Sequence, residues 1–216
     1  ATRLIAAWPF LHTDASQAPL HIPLNVRSLD VDMLTLDAQK VYGPKGVGLL
    51  YCARNVELSP ILYGGSQERG MHPGTENVPG IVGFAEALAI AGETQESESA
   101  RLSALRDNCI KNILEIVPAA ELNGSREKRL PNIINFSFLG QESEWLVLQL
   151  DARGIAVGAR SACSSAKTPG SEVIAALGKG EKYTTSSIRI TLGRWTTKED
   201  FHWLVEAFKE IFRKEL

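Results

Sequence analysis

The 216 residues are 44% hydrophobic, enough to bury a proper core as one large or two small domains. With 23 basic and 25 acidic residues the net charge is −2, which leaves no electrostatic footprint for nucleic acid or an anionic membrane and points to small substrates or protein partners. No apolar run approaches the ~20 residues that span a bilayer, so neither nucleic acid nor membrane is an expected partner.

Along the chain, the apolar stretch after Arg3 is interrupted by Trp8-Pro9 and no small-residue cleavage site follows, so no signal peptide is expected. Short apolar or alternating runs at residues 10–13, 31–36 and 47–51, bounded by Gly, Pro, Asn and Asp, predict buried strands of an α/β domain. Pro79 opens a predicted helix with an apolar stripe of Ile81, Val82, Ala85, Leu88 and Ala89, stopped at Gly92. The acidic, Ser-rich stretch 93–99 is the expected boundary, giving domains at 1–93 and 94–216. Beyond it, Leu102, Leu105, Ile110, Ile113 and Leu114 mark a second amphipathic helix ending near Pro118. The remainder alternates: strand 133–138, helix 143–153, strand 155–157, helix 171–177, strand 188–192, and a final helix entered at Thr196-Thr197. In that helix Phe201, Leu204, Val205, Phe208 and Phe212 share a face, and Asp200 three residues after Thr197 forms a loose capping box. This reads as a small α+β domain.

The chemistry-bearing residues stand between these elements. Lys40 follows the strand at 31–36 and precedes the Gly/Pro-rich turn Gly43-Pro44-Lys45-Gly46, a strand-end position where an amine beside a cleft can form an imine with an aldehyde cofactor. The same segment read alone is equally a turn with a surface lysine. Asp14 follows the strand-like run 10–13, where α/β sheets bind ligands, or is an N-cap or Asx-turn residue. The glycines Gly43, Gly46 and Gly48 lack the Gly-Lys-Ser/Thr element and spacing of a nucleotide phosphate loop. Three scattered cysteines, Cys52, Cys109 and Cys163, argue against a disulfide framework and for a reducing compartment, hence the cytoplasm. Four histidines without paired ligand spacing give no expected metal site. Cys163 lies in a small-residue polar loop with Arg160 and Lys167 nearby, a setting that favours the thiolate, whereas Cys52 and Cys109 read as packing residues.

Five stretches resemble one family in combination: His12-Thr13-Asp14-Ala15-Ser16-Gln17, the Lys40 run, Gly64 to Gly70 leading to Pro73-Gly74-Thr75-Glu76-Asn77, Arg160-Ser161-Ala162-Cys163-Ser164-Ser165, and Ser187 to Arg194. Their order and spacing resemble the cysteine desulfurases, pyridoxal-phosphate (PLP) enzymes of the class V branch of fold-type I aminotransferases, over nearly the whole chain. The resemblance is to the C-terminal half: full-length members carry roughly as much chain again upstream, including a Gly-Thr phosphate loop and the residue that stacks on the cofactor ring. It implies an α/β fold made of the C-terminal part of the large PLP-binding domain followed by a small α+β domain carrying the cysteine loop. It further implies Lys40 as Schiff-base lysine, Asp14 on the pyridine nitrogen, Gln17 on the phenolic oxygen, Gln39 and Thr75 toward the phosphate, Arg189 on the substrate carboxylate and Cys163 as sulfur acceptor.

The implied reaction converts L-cysteine to L-alanine with a persulfide on Cys163, supplying sulfur for iron-sulfur cluster or thio-cofactor assembly. A homodimer, a sulfur-acceptor or scaffold protein and a separately encoded upstream half are the partners that follow. Asp37 and Gln39 depart from the family pattern, which carries Ser or Thr and His there; Gln39 can still donate, but an ionised Asp37 beside a phosphate cannot. The alternatives are a catalytically silent truncated module, favoured by the missing upstream half, and a related PLP lyase or aminotransferase, against which Cys163 and its loop argue. Arg189 is otherwise an ion-pair partner, and Thr75 otherwise a loop residue ahead of a helix.

Overall fold

The computed structural model describes residues 10–159 and 170–213, and its contacts divide the chain into two units, residues 1–98 and 99–216. In the first unit three strands form a mixed sheet ordered β1 (His12–Asp14), β2 (Met33–Asp37) and β3 (Gly48–Cys52). β1 runs parallel to β2 with Asp14 opposite Thr35, and β3 runs antiparallel with Gly48 opposite Asp37 and Cys52 opposite Met33. The strands fall within about two residues of the predicted runs, the normal uncertainty of element ends. Leu34 and Leu36 of β2 pack with Ala15, Ala18, Val31, Ala38, Val41, Phe84 and Ala87 as the unit's core. Between β1 and β2 lies the short helix α1 (Val26–Leu29), capped by Asn25, which accepts from the Arg27 and Ser28 amides.

The helix expected to stop at Gly92 does not. A single helix, α2, runs Val78–Ile116 and continues through the acidic stretch 93–99. No proline interrupts the chain between Pro79 and Pro118, and the Glu, Gln and Ala of the intervening stretch are good helix formers. One glycine and a few serines each cost less than about 1 kcal/mol, too little to break a helix packed at both ends. The predicted stripe is also rotated: Gly80, Phe84, Ala87 and Ala91 face inward, while Ile81 and Val82 remain 44% and 62% exposed. The small residues are inside because the chain approaches closely there. A Cβ on Gly83 would lie 2.7 Å from Pro44 Cγ and one on Gly80 2.5 Å from Val47 Cγ2.

The second unit is an antiparallel sheet of β4 (Ala120–Leu122), β5 (Ile133–Phe138) and β6 (Ser187–Thr191), with β5 central, accompanied by α3 (Ser143–Asp151), α4 (Glu172–Ala176), α5 (Glu181–Thr184) and α6 (Lys198–Arg213). Ile134, Phe136 and Phe138 of β5 and Ile188 and Ile190 of β6 enter one core with Leu102, Ile110 and Ile113 of α2, Leu146 and Leu150 of α3, and Phe201, Leu204 and Phe208 of α6. Phe138 stacks on Phe208 and Phe212 at 5.2 and 5.4 Å between ring centres. The capping box forms reciprocally, the Thr197 amide donating to Asp200 at 2.8 Å and the Asp200 amide to Thr197 Oγ1 at 3.2 Å. The strand expected at 155–157 is replaced by a single bridge from Gly158 to Arg189. Among the described residues, no helix is long and apolar enough to cross a membrane.

Candidate functional site

In the first unit the parallel pairing of β1 and β2 brings two predicted residues to one end of the sheet. Asp14 is the last residue of β1, and β2 ends at Asp37 just before the 3-10 turn Ala38–Val41 that carries Lys40. The Asp14 carboxylate accepts from the Ser16 hydroxyl at 2.6 Å and the Ser16 amide at 3.0 Å, an Asx turn that leaves the carboxylate exposed. Those two bonds hold Asp14 below the usual carboxylate range, the hydroxyl first, so it stays an ionised acceptor. Gln17 sits in the exposed turn that follows β1.

Lys40 is exposed, flanked in its turn by the buried Ala38 and Val41. The Tyr42 and Gly43 amides both return to the Ala38 carbonyl, and the Ala38 amide donates to Val47 at 3.0 Å. A Cβ on Gly43 would lie 3.2 Å from Ala87 of α2, so the segment after Lys40 is pressed against the small-residue face of that helix. Asp37, the residue without a donor, turns onto its neighbour: it accepts from the Gln39 backbone at 3.1 Å and from the Gln39 side-chain amide at 2.8 Å. Thr75 is exposed on the connection preceding α2. Cys52 pairs with Met33 at the end of the sheet away from Lys40.

In the second unit Arg189 lies on β6 opposite Asn135 of β5. Alternation puts both on the face away from the phenylalanine core, where Asn123 donates to Asn135 at 2.7 Å and to Ser137 at 2.9 Å. Backbone bonds of 2.6 and 2.9 Å join Arg189 to Gly158 in both directions, and the Ser171 amide reaches Thr184 at 3.0 Å. These pairs anchor the chain on either side of the segment with Cys163, and Cys163 itself lies outside the described residues. Cys109 is fully buried, and burial pushes its thiol up to about 12, which removes it as a nucleophile.

The sequence reading gave no individual role to Glu68 and Arg69, yet both adopt left-handed backbone, with φ of 47° and 59°. Two consecutive non-glycine residues in that region are strained, a mark of functional loops, and side chains that ordinarily prefer right-handed backbone give no sequence signal for it. The His12 ring meets the Thr35 hydroxyl at 2.8 Å across the β1–β2 pair.

The chain is similar in sequence and fold to known proteins. A cysteine desulfurase IscS of Dictyoglomus turgidum is 43% identical over 205 residues, which cover 95% of this chain and 52% of that protein. A solved structure titled NifS-like protein superposes with a TM-score of 0.85 at 32% identity, covering 95% of this chain and 53% of that one. A NifS-like protein from Rickettsia africae gives 0.84 at 30% identity, covering 94% and 53%. The chain thus spans about half the length of the relatives it matches. The aminotransferase class-V family model matches residues 7–204, and the chain belongs to that family.

Proposed function

We propose that the chain is the C-terminal part of a PLP-dependent cysteine desulfurase, converting L-cysteine to L-alanine and delivering sulfur to iron-sulfur cluster or thio-cofactor assembly. The observation that carries it is the placing of the ionised Asp14 and of Lys40 at the same end of two parallel strands. An amine and a carboxylate so placed fit an aldehyde cofactor whose ring nitrogen must keep its proton. Bound there, pyridoxal phosphate supplies the electron sink for chemistry at the amino-acid substrate.

In this reading the first unit is the C-terminal part of the large domain and the second is the small domain. Lys40 holds the aldehyde carbon, Asp14 keeps the proton on the ring nitrogen, and Gln17 donates to the phenolic oxygen. Gln39 and Thr75 serve the phosphate end. Arg189 grips the substrate carboxylate through its two-pronged guanidinium, and the polar face it shares with Asn135 suits an ionic substrate. The Cys163 thiolate attacks the substrate sulfur: the S–S bond forms as the C–S bond breaks, and the electron pair leaves with the substrate carbon, which is then protonated to give alanine. A homodimer, an acceptor or scaffold protein, and residence in the reducing cytoplasm complete the proposal.

The test assembles the chain with a matching upstream half from a relative, then adds pyridoxal phosphate and L-cysteine. Alanine and a Cys163 persulfide are expected. Cys163→Ala should abolish the persulfide while leaving substrate binding intact, because the thiol acts after the substrate is bound. Undiminished alanine and sulfide release by that variant refutes the nucleophile. No activity in any assembled form leaves the chain a silent module that keeps the fold.

A further inference from the structure

We infer that Asp37 and Gln39 form one coupled unit that positions the Lys40 turn, so that neither can be exchanged alone for the residue the resembled pattern carries. The inference rests on the proposed role of Lys40. Asp37 is the last residue of β2, and its two carboxylate oxygens take two donors from one neighbour: Oδ1 accepts the Gln39 backbone N–H at 3.1 Å and Oδ2 the Gln39 side-chain amide at 2.8 Å. The first bond caps the 3-10 turn Ala38–Val41 at its start. At the far end the Tyr42 and Gly43 amides close on the Ala38 carbonyl, with Tyr42 itself in left-handed backbone at φ 63°. Lys40 is therefore presented between a capped start and a closed finish.

A carboxylate next to a phosphate is unfavourable taken alone, but here it accepts from the Gln39 backbone N–H and from one N–H of its side-chain amide, which leaves the second amide N–H for the phosphate. Serine at position 37 can still accept the backbone N–H, yet it has no second oxygen for the amide. Histidine at position 39 leaves the second carboxylate oxygen with a ring in place of the amide. Each single exchange removes or replaces the side-chain bond of the pair and leaves only the backbone cap, whereas exchanging both installs a hydroxyl and a ring that do not depend on that bond. Asp37 is thus a positioning residue, and its replacement by serine weakens rather than strengthens cofactor capture.

The experiment traps pyridoxal phosphate, and separately pyridoxal, with borohydride on the 216-residue chain and quantifies the Lys40 peptide against aldehyde concentration. Wild type is compared with Asp37→Ser, Gln39→His, the double variant and Asp37→Asn. Each of the first two should weaken capture at Lys40 at least about fivefold, with the double variant returning to within about threefold of wild type, a coupling typical of residues in direct contact. Asp37→Asn should weaken capture as Asp37→Ser does, because each keeps one oxygen for the cap and loses the acceptor for the Gln39 side-chain amide. The coupling should be equal for both aldehydes, since the pair acts on the turn and pyridoxal carries no phosphate. Additive effects, coupling confined to pyridoxal phosphate, or tighter capture by Asp37→Ser would overturn the inference. Trapping of wild type at another lysine would instead overturn the role of Lys40. Exchange of the Gln39 amide in Asp37→Ala then decides the pairing alone, with faster exchange supporting it and unchanged exchange refuting it.

Discussion

Asp14 and Asp37 use the same short-range device to opposite ends. Each accepts the backbone amide two residues ahead, and each has a second donor from the same residue, Ser16 for one and Gln39 for the other. For Asp14 the result is a carboxylate kept ionised into acid. Ser16→Ala removes the larger of its two bonds, so the Asp14 titration followed by NMR should move up toward the ordinary carboxylate range while stopping short of it. Because the folded value is depressed, the associated stability is present above the ordinary range and lost as pH falls through the lowered value; the variant should show a shallower acid loss. An unchanged titration would mean that the hydroxyl does not govern the charge. This turn was among the alternatives for Asp14 because an aspartate just after a strand is commonly an N-cap or Asx-turn residue. For Asp37 the same two-residue spacing to Gln39 is present, but the spacing does not distinguish an amide that folds back onto the carboxylate from one that faces a ligand.

At the level of elements, the long helix is where local signals and packing part company. Gly92 reads as a stop, yet a Cβ there would meet nothing within 4 Å and the backbone continues as α2 on both sides. Gly92→Ala should therefore stabilise the protein by about 0.8–1 kcal/mol, measured by urea denaturation, because alanine in an exposed helix interior loses less backbone freedom than glycine. If the helix broke at this point, the same change would be neutral or harmful. The rotated face of α2 has a related cause. Sequence patterning assigns the large apolar residues to the inside, but Gly80, Gly83 and Ala87 are what allow the segment after Lys40 to lie against the helix. The later part of the same helix, with Leu102, Leu105, Ile110 and Ile113 buried, follows its pattern because there the core is filled by side chains of ordinary size. The α6 capping box was legible for the same reason: it depends on nothing distant.

For the molecule as a whole, the order of strands and helices was readable because alternation and turn residues are local, whereas β4 was missed because three residues become a strand only through their register with β5. The candidate residues were legible chiefly through the spacing of five motifs. Periodicity alone left Lys40, Asp14 and Arg189 each with a plain structural role, and the parallel register of β1 on β2 is the long-range fact that joins the first two. The apolar residues of β3 illustrate the same limit at larger scale. Leu49 and Leu50 are adjacent, point to opposite faces and are both exposed, the composition of a strand meant for burial on two sides.

The burial of Cys109 has a practical use beyond excluding it from catalysis. Burial pushes the thiol well above the ordinary cysteine range, so it is scarcely ionised in native buffer, and in the folded second unit it is also shielded from reagents. Its alkylation is thus a clock for the opening of that unit's core. Labelling should be silent in native buffer and should accelerate with urea in proportion to the opened fraction, giving the unit's opening free energy residue-specifically by mass spectrometry. Rapid labelling of Cys109 without denaturant would contradict its burial on the core face of α2.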